Sequence, residues 1–270
     1  MQRLLIVNPR SGTASPSAEE LVEAARSRGI DVHVLDEGDD LPAVARSAGA
    51  GVLGMAGGDG SLAAVADVAI EQDVPFVCVP FGTRNHFARD AGLDRDDPIA
   101  ALAAFDDGVE RRVDVAWAGE RLFLNNVSLG IYARLVHRRE HHRRRRDALA
   151  RLRALVLTLR DRRRRQHFTI DGRQLRARLV LVGNNEYALD LLSLGERERL
   201  DEGKLHLYIP HGFRRITWEE RSATELEIGS PLPRLRAAVD GEPVELDAPA
   251  RFRIEPLALR LLVPRAPEPE

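Results

Sequence analysis

The sequence predicts an α/β domain with a parallel sheet, followed by an antiparallel, sandwich-like β domain. Three observations carry this expectation. Before about residue 108, short continuous apolar runs alternate with helical patterns. Beyond it, short strands follow one another with few helices between them. Glycine-bearing turns, finally, follow three of the early strands. Continuous apolar strands separated by helices mark a parallel sheet covered on both faces, whereas runs of short strands with tight turns mark antiparallel pairing.

Taken in order, Leu4–Val7 reads as a buried strand, Ala18–Ser27 as a helix and Asp31–Leu35 as a strand. Ala43–Ala48 (helix), Gly51–Met55 (strand), Leu62–Gln72 (helix) and Phe76–Val79 (strand) continue the alternation. Val109–Trp117 and Arg121–Val127 flank Ala118-Gly119 as a hairpin, and Gln166–Ile170 and Arg173–Asn184 flank Asp171-Gly172 as another. Further strands are expected at Leu205–Ile209, Glu225–Ile228, Leu235–Val239, Arg251–Ile254 and Leu257–Val263. The domains are therefore drawn at 1–110 and 111–255. Residues 256–270 form a strand and tail, for which packing back on the first domain is one arrangement.

A chain of 270 residues, 44% of them hydrophobic, can bury a substantial core. Its single cysteine, Cys78, sits inside an apolar run, which excludes an internal disulfide framework and suits a reducing compartment. Only Leu4–Val7 is apolar at the start, too short for a signal-peptide core, and no run approaches the ~18 apolar residues of a membrane span. The reading is cytoplasmic.

Gly57-Gly58-Asp59-Gly60-Ser61 lies between a predicted strand and a predicted helix. Glycines there let backbone amides approach phosphate oxygens, and the helix aims its positive end at the same point. Asp59 is a candidate Mg²⁺ ligand, because Mg²⁺ takes one or two carboxylates together with phosphate oxygens. Asn8, Ser11 and Gly12 occupy the turn after the first strand, and Gly82, Thr83 and Asn85 the turn after the fourth. Together the three turns make a candidate nucleotide cradle, although each alone is also a plain strand-to-helix connection, with Thr83 and Asn85 as helix caps. The P-loop, protein-kinase and dinucleotide fingerprints are absent, as are zinc-ligand spacings.

This ordered set, with Asn126-Val127-Ser128-Leu129-Gly130 and Asp240-Gly241-Glu242, resembles the diacylglycerol kinase catalytic-domain family, which includes soluble bacterial lipid kinases and is related to sphingosine kinases. The Gly82–Ala88 turn separates it from NAD kinases and phosphofructokinases, which share Gly-Gly-Asp-Gly. The resemblance implies a nucleotide-binding domain and a β-sandwich-like lipid or acceptor domain flanking an active-site cleft. It implies ATP and Mg²⁺ as cofactors and transfer of the γ-phosphoryl to a hydroxyl of diacylglycerol or a related lipid. Glu242 becomes the base for the acceptor hydroxyl, Asp114 an aspartate near the active-site metal, and Asp201 or Glu202 the carboxylate of a structural Mg²⁺ loop. Without the resemblance, Asp240–Pro243 is a chain reversal and 200–204 a solvated turn. Two rivals stay open: an NAD kinase-like small-molecule kinase, and a catalytically weak nucleotide- or phospholipid-binding protein.

The chain departs from the family pattern in three places. His86 stands where an aspartate is usual, and an imidazole cannot supply that negative charge. Ser61 replaces a threonine and keeps the hydroxyl. Asn184-Asn185 runs into Glu186–Asp190 instead of a glycine-rich stretch, which puts the acceptor in doubt more than the donor.

Between Arg138 and Arg165 stand thirteen arginines and three acidic residues, with Leu149, Leu152, Val156 and Leu159 at helical spacing. Docking on an anionic surface at the inner face of a membrane and a packed helix with a solvated basic face both fit. Nucleic acid does not, because stacking aromatics are nearly absent there. The oligomeric state is open, a homodimer included.

Overall fold

The structure, a computed structural model, describes residues 2–12, 16–82, 85–130, 166–188, 195–211 and 217–265. Thr83, Arg84, the basic segment Arg138–Arg165 and the end of the tail lie outside the described residues. The chain divides into two compact units, one of residues 1–115, 195–203 and 255–270, the other of residues 116–194 and 204–254.

The first unit is α/β. Its elements are β1 (Arg3–Val7), α1 (Ala18–Ser27), β2 (Asp31–Val34), α2 (Leu41–Ser47), β3 (Val52–Gly57), α3 (Asp59–Glu71), β4 (Phe76–Pro80), α4 (His86–Asp90), α5 (Ala104–Asp107) and most of β5 (Gly108–Ala118). Two helix starts have a local cause. Ser17 and Glu20 close a capping box on α1, and Asp40 caps α2 through the Ala43 amide. The strands run parallel in the order β2-β1-β3-β4, and β3 and β4 are buried throughout. Leu5, Val7, Val77 and Val79 pack with Leu21 and Ala25 of α1 and with Leu102 and Phe105.

The second unit is antiparallel β. It contains β6 (Arg121–Phe123), β7 (Asn126–Gly130), β8 (Gln166–Ile170), β9 (Arg173–Ala177), β10 (Leu179–Asn184), β11 (Leu205–His211), β12 (Thr217–Ala223), β13 (Glu225–Gly229), β14 (Arg234–Val239), β15 (Glu242–Asp247) and the start of β16 (Ala250–Pro264). One sheet runs β12-β11-β10-β7-β14-β15; the other pairs β16, β13, β8 and β9 in that order. Val127, Val182, Leu207 and Val239 of the first sheet share one core with Phe168, Ile170, Ile228 and Phe252 of the second. That is a β-sandwich. The far half of β16 lies in the first unit, where Leu261 and Leu262 pair in parallel with Phe76 and Val77 of β4.

Three strand runs are divided or joined differently from the sequence expectation. The run Arg173–Asn184 breaks at Arg178, so that β9 and β10 belong to different sheets. Arg121–Val127 likewise divides at Leu124-Asn125, and β7 pairs with β10 and β14. Conversely, the runs at 251–254 and 257–263 form one strand, irregular at Leu257, whose φ is +54°.

Candidate active site

Neighbouring parallel strands place the three turns side by side. Val7 pairs with Ala56 and Gly57 with Pro80, so β1, β3 and β4 end together, and the Asn8 amide donates to the Ala56 carbonyl at 2.9 Å. Loops beyond the carboxyl ends of such strands are where α/β sheets bind ligands. The turns also touch. A Cβ on Gly82 would stand 2.7 Å from the Gly58 Cα, and one on Gly12 2.5 Å from the Phe81 ring. These glycines are therefore required by close approach. Gly82→Ala is expected to force apart Gly58 and Gly82 at a cost of about 1–3 kcal/mol, seen as a roughly tenfold or greater rise in the Kd for ATP; calorimetric titration measures it.

The glycine turn opens α3 directly. Gly58 is its N-cap and provides no side chain, so the amides of Asp59, Gly60 and Ser61 have neither an intrahelical partner nor a side-chain cap. Their orientation and the helix dipole favour an anion. Sequence periodicity starts the helix at Leu62, because glycine and serine carry no apolar signal.

Asp59 joins two of the turns. It is 8% exposed, and its oxygens accept the His86 and Phe87 amides, each at 3.2 Å. Those are the first amides of α4, whose own N-cap, Asn85, is left-handed (φ +43°) and makes no side-chain cap. Asp59 thus caps a helix 27 residues away from it. The contact at position 86 is made by the backbone amide. Asn85 is 1% exposed; its Nδ2 donates to the Gly82 carbonyl at 2.8 Å, and its Oδ1 has no hydrogen-bond partner among the described residues. Cys78 is buried, and burial, reinforced by the charge of Asp59, pushes its thiol well above the usual range. Such a thiol is inert.

Asn8 shapes its own turn, its Oδ1 accepting the Arg10 amide at 3.1 Å and its carbonyl the Ser11 amide at 3.1 Å. Thr83 falls outside the described residues.

The remaining candidates make contacts of their own. Asp114 is 1% exposed, and its carboxylate accepts the Gly203 amide at 2.6 Å and the Leu257 amide at 2.8 Å, while its own amide donates to the Leu200 carbonyl at 2.7 Å. It fastens residues 200–203 to the first unit. Asp201 is half exposed and pairs with Arg199 at 3.0 Å. Among the described residues, no three acidic, histidine or cysteine side chains converge as a ready-made metal cage.

Glu242 belongs to the second unit. It follows the Asp240-Gly241 turn, both of whose residues have positive φ, and its carboxylate is half exposed, 3.2 Å from Arg121. Asp240 accepts the amides of Leu124, Asn125 and Asn126 at 2.8, 2.9 and 3.0 Å. That carboxylate fixes the bend where the chain passes from β6 to β7. Sequence reasoning gave Asp240 only a turn role. It also missed Asp90 and Arg197, a fully buried pair at 2.7 Å in the first unit. No local signal marks them, since they are 107 residues apart.

Residues 2–118 match the family model of the diacylglycerol kinase catalytic domain. Over that stretch the chain is similar to the diacylglycerol kinase catalytic domain. The Gly57–Ser61 and Gly82–Asn85 turns and Asp59 all fall inside the family match. A diacylglycerol kinase of Mycobacterium tuberculosis is 32% identical over 117 residues, covering 41% of this chain but only 38% of its own length. A Klebsiella pneumoniae protein named "Probable lipid kinase YegS-like" is 27% identical across 97% of this chain and 95% of its own. The crystal structure of a Bacillus anthracis diacylglycerol kinase has the same fold, with a TM-score of 0.68 at 18% identity, covering 97% of this chain and 96% of that one.

Proposed function

We propose that the chain is an ATP- and Mg²⁺-dependent lipid kinase, passing the γ-phosphoryl of ATP to a hydroxyl of diacylglycerol or a related lipid. The single observation that carries this reading is the joining of the glycine turns at Gly58, Asp59 and Gly82, with the uncapped start of α3 among them. Amides of Gly58, Gly60 and Ser61, with those of Gly12 and Gly82, hold the phosphates. Phosphoryl transfer needs little from the protein beyond positioning and neutralisation of charge.

The donor set at Asp59 fits a magnesium ion. Each oxygen accepts one amide and keeps a further lone pair, and Mg²⁺ is held mainly by phosphate oxygens and water rather than by a prebuilt cage. When bound, the ion neutralises the phosphate charge that develops during transfer. Asp59 holds it and at the same time fixes α4. Glu242 accepts the proton of the acceptor hydroxyl as the oxygen attacks the γ-phosphorus and ADP leaves. Asp114 contributes by fastening 200–203. Among the described residues no helix is long and apolar enough to cross a membrane. The lipid is met at an anionic surface, for which the thirteen arginines of 138–165 are the basic segment.

The test is transfer from γ-labelled ATP to a panel of diacylglycerol, a sphingoid base and NAD. Label in the organic phase is the expected result. Label on NAD alone favours the small-molecule kinase, and ATP binding without transfer to any acceptor favours a binding protein.

A further inference from the structure

Helix α4 is five residues long, from His86 to Asp90, and too short to hold itself. Its start is fixed by Asp59. Its end is fixed by Asp90, whose side chain is fully buried and lies between two guanidinium groups. Arg89 donates to Oδ1 at 2.7 and 2.8 Å, and Arg197 Nε donates to Oδ2 at 2.7 Å. The Arg197 side chain is also fully buried. Arg89 reaches on to the Gly195 carbonyl at 3.1 Å. A strap, Gly195–Gly203, is thus bound to α4 at one end and to Asp114 at the other, and it belongs to the first unit although the sequence around it belongs to the second.

Burying a charge is costly unless its partner sits in good geometry, and a buried ion pair is weak as a source of stability but can select one arrangement over others. What this pair selects is the placement of α4. Because the first two amides of α4 lie on Asp59, and Asn85 holds the Gly82 carbonyl, the placement of α4 sets that of the Gly82 turn against Gly58. We propose that Asp90 and Arg197 are positioning residues for nucleotide binding, holding Gly82 and Asn85 in register with the Gly57–Ser61 turn through the strap. The inference rests on the lipid-kinase reading for its ligand, ATP, though not for its mechanics.

Three variants test it: Arg197→Met, Arg197→Lys, and the double variant Asp90→Leu with Arg197→Met, which exchanges the buried pair for apolar side chains. The control is Ile228→Val, in the core of the second unit. Arg197→Met is expected to raise the Kd for ATP about tenfold or more, because misplacement of a positioned group by a fraction of an ångström has effects of that size. Arg197→Lys keeps the charge without the planar fork and falls between wild type and Arg197→Met. The double variant separates positioning from stability. It is expected to regain the wild-type Tm while keeping the raised Kd. Recovery of both together, or a Kd within about twofold of wild type in Arg197→Met, overturns the proposal. Should the wild-type protein not bind ATP, the lipid-kinase reading has failed, and hydrogen exchange of the amides at 85–90 in the free protein tests the strap alone. Faster exchange in Arg197→Met than in Ile228→Val supports it, and equal exchange overturns it.

Discussion

Asp59→Ala is expected to lower phosphoryl transfer by a factor of about 10² or more, the scale of removing one charge-stabilising group from a preorganised site. The same change removes the acceptor of the His86 and Phe87 amides and leaves α4 uncapped. Loss of a cap costs about 0.5–2 kcal/mol, so Tm falls as well. Asp59→Asn divides the two effects. Its amide oxygen still accepts one α4 amide, so stability recovers in part, whereas the charge that holds a divalent ion does not return. Steady-state transfer across a Mg²⁺ series, beside thermal melts of both variants, measures the division. An alanine variant that keeps full Mg²⁺-dependent transfer removes Asp59 from the chemistry and leaves it a helix cap.

Glu242→Gln is expected to lower transfer by about 10²- to 10⁴-fold, the range of a general base, while ATP binds as before. Its effect on folding should be small. The carboxylate is half exposed and its 3.2 Å pair with Arg121 lies at the surface, where such pairs contribute about 0–1 kcal/mol. A large kinetic loss without a fall in Tm is therefore the mark of a catalytic role. Asp240→Ala makes the contrast: it strands three backbone amides that Asp240 now satisfies, and its loss should appear mainly as instability of the second unit. Unchanged turnover in Glu242→Gln would leave the acceptor hydroxyl to be activated by another group.

Much of the fold was legible because its signals are local. Continuous apolar runs at 4–7 and 76–79 became buried parallel strands, and the capping box Ser17-Glu20 begins a helix where the sequence expects one. The strands β12 and β15 escaped sequence reading for a physical reason. Thr217–Ala223 and Glu242–Asp247 are the two edges of their sheet, and their charged residues hide the period-2 pattern. The break at Arg178 was equally illegible, because strand partners decide it.

At the site, glycine chemistry marked the turns. That Gly58 and Gly82 meet follows from the pairing of β3 with β4 and is written in no single segment. Asp59 was readable as an acidic residue inside a glycine turn, yet its cap on α4 spans 27 residues of sequence. Asp114, for which the resemblance implies a place near the metal, has its carboxylate on the amides of Gly203 and Leu257, partners 89 and 143 residues away. The reach of such contacts is set by tertiary structure, and a carboxylate inside a strand carries no trace of it.

Titration of the ¹⁵N-labelled protein with ATP and Mg²⁺, followed amide by amide, asks whether the glycine turns hold the phosphates. Saturable shifts are expected at Gly12, Gly58, Gly60, Ser61 and Gly82, lost together in Gly82→Ala. Shifts confined to the β-sandwich, with those five amides unmoved at saturating ATP, would contradict it.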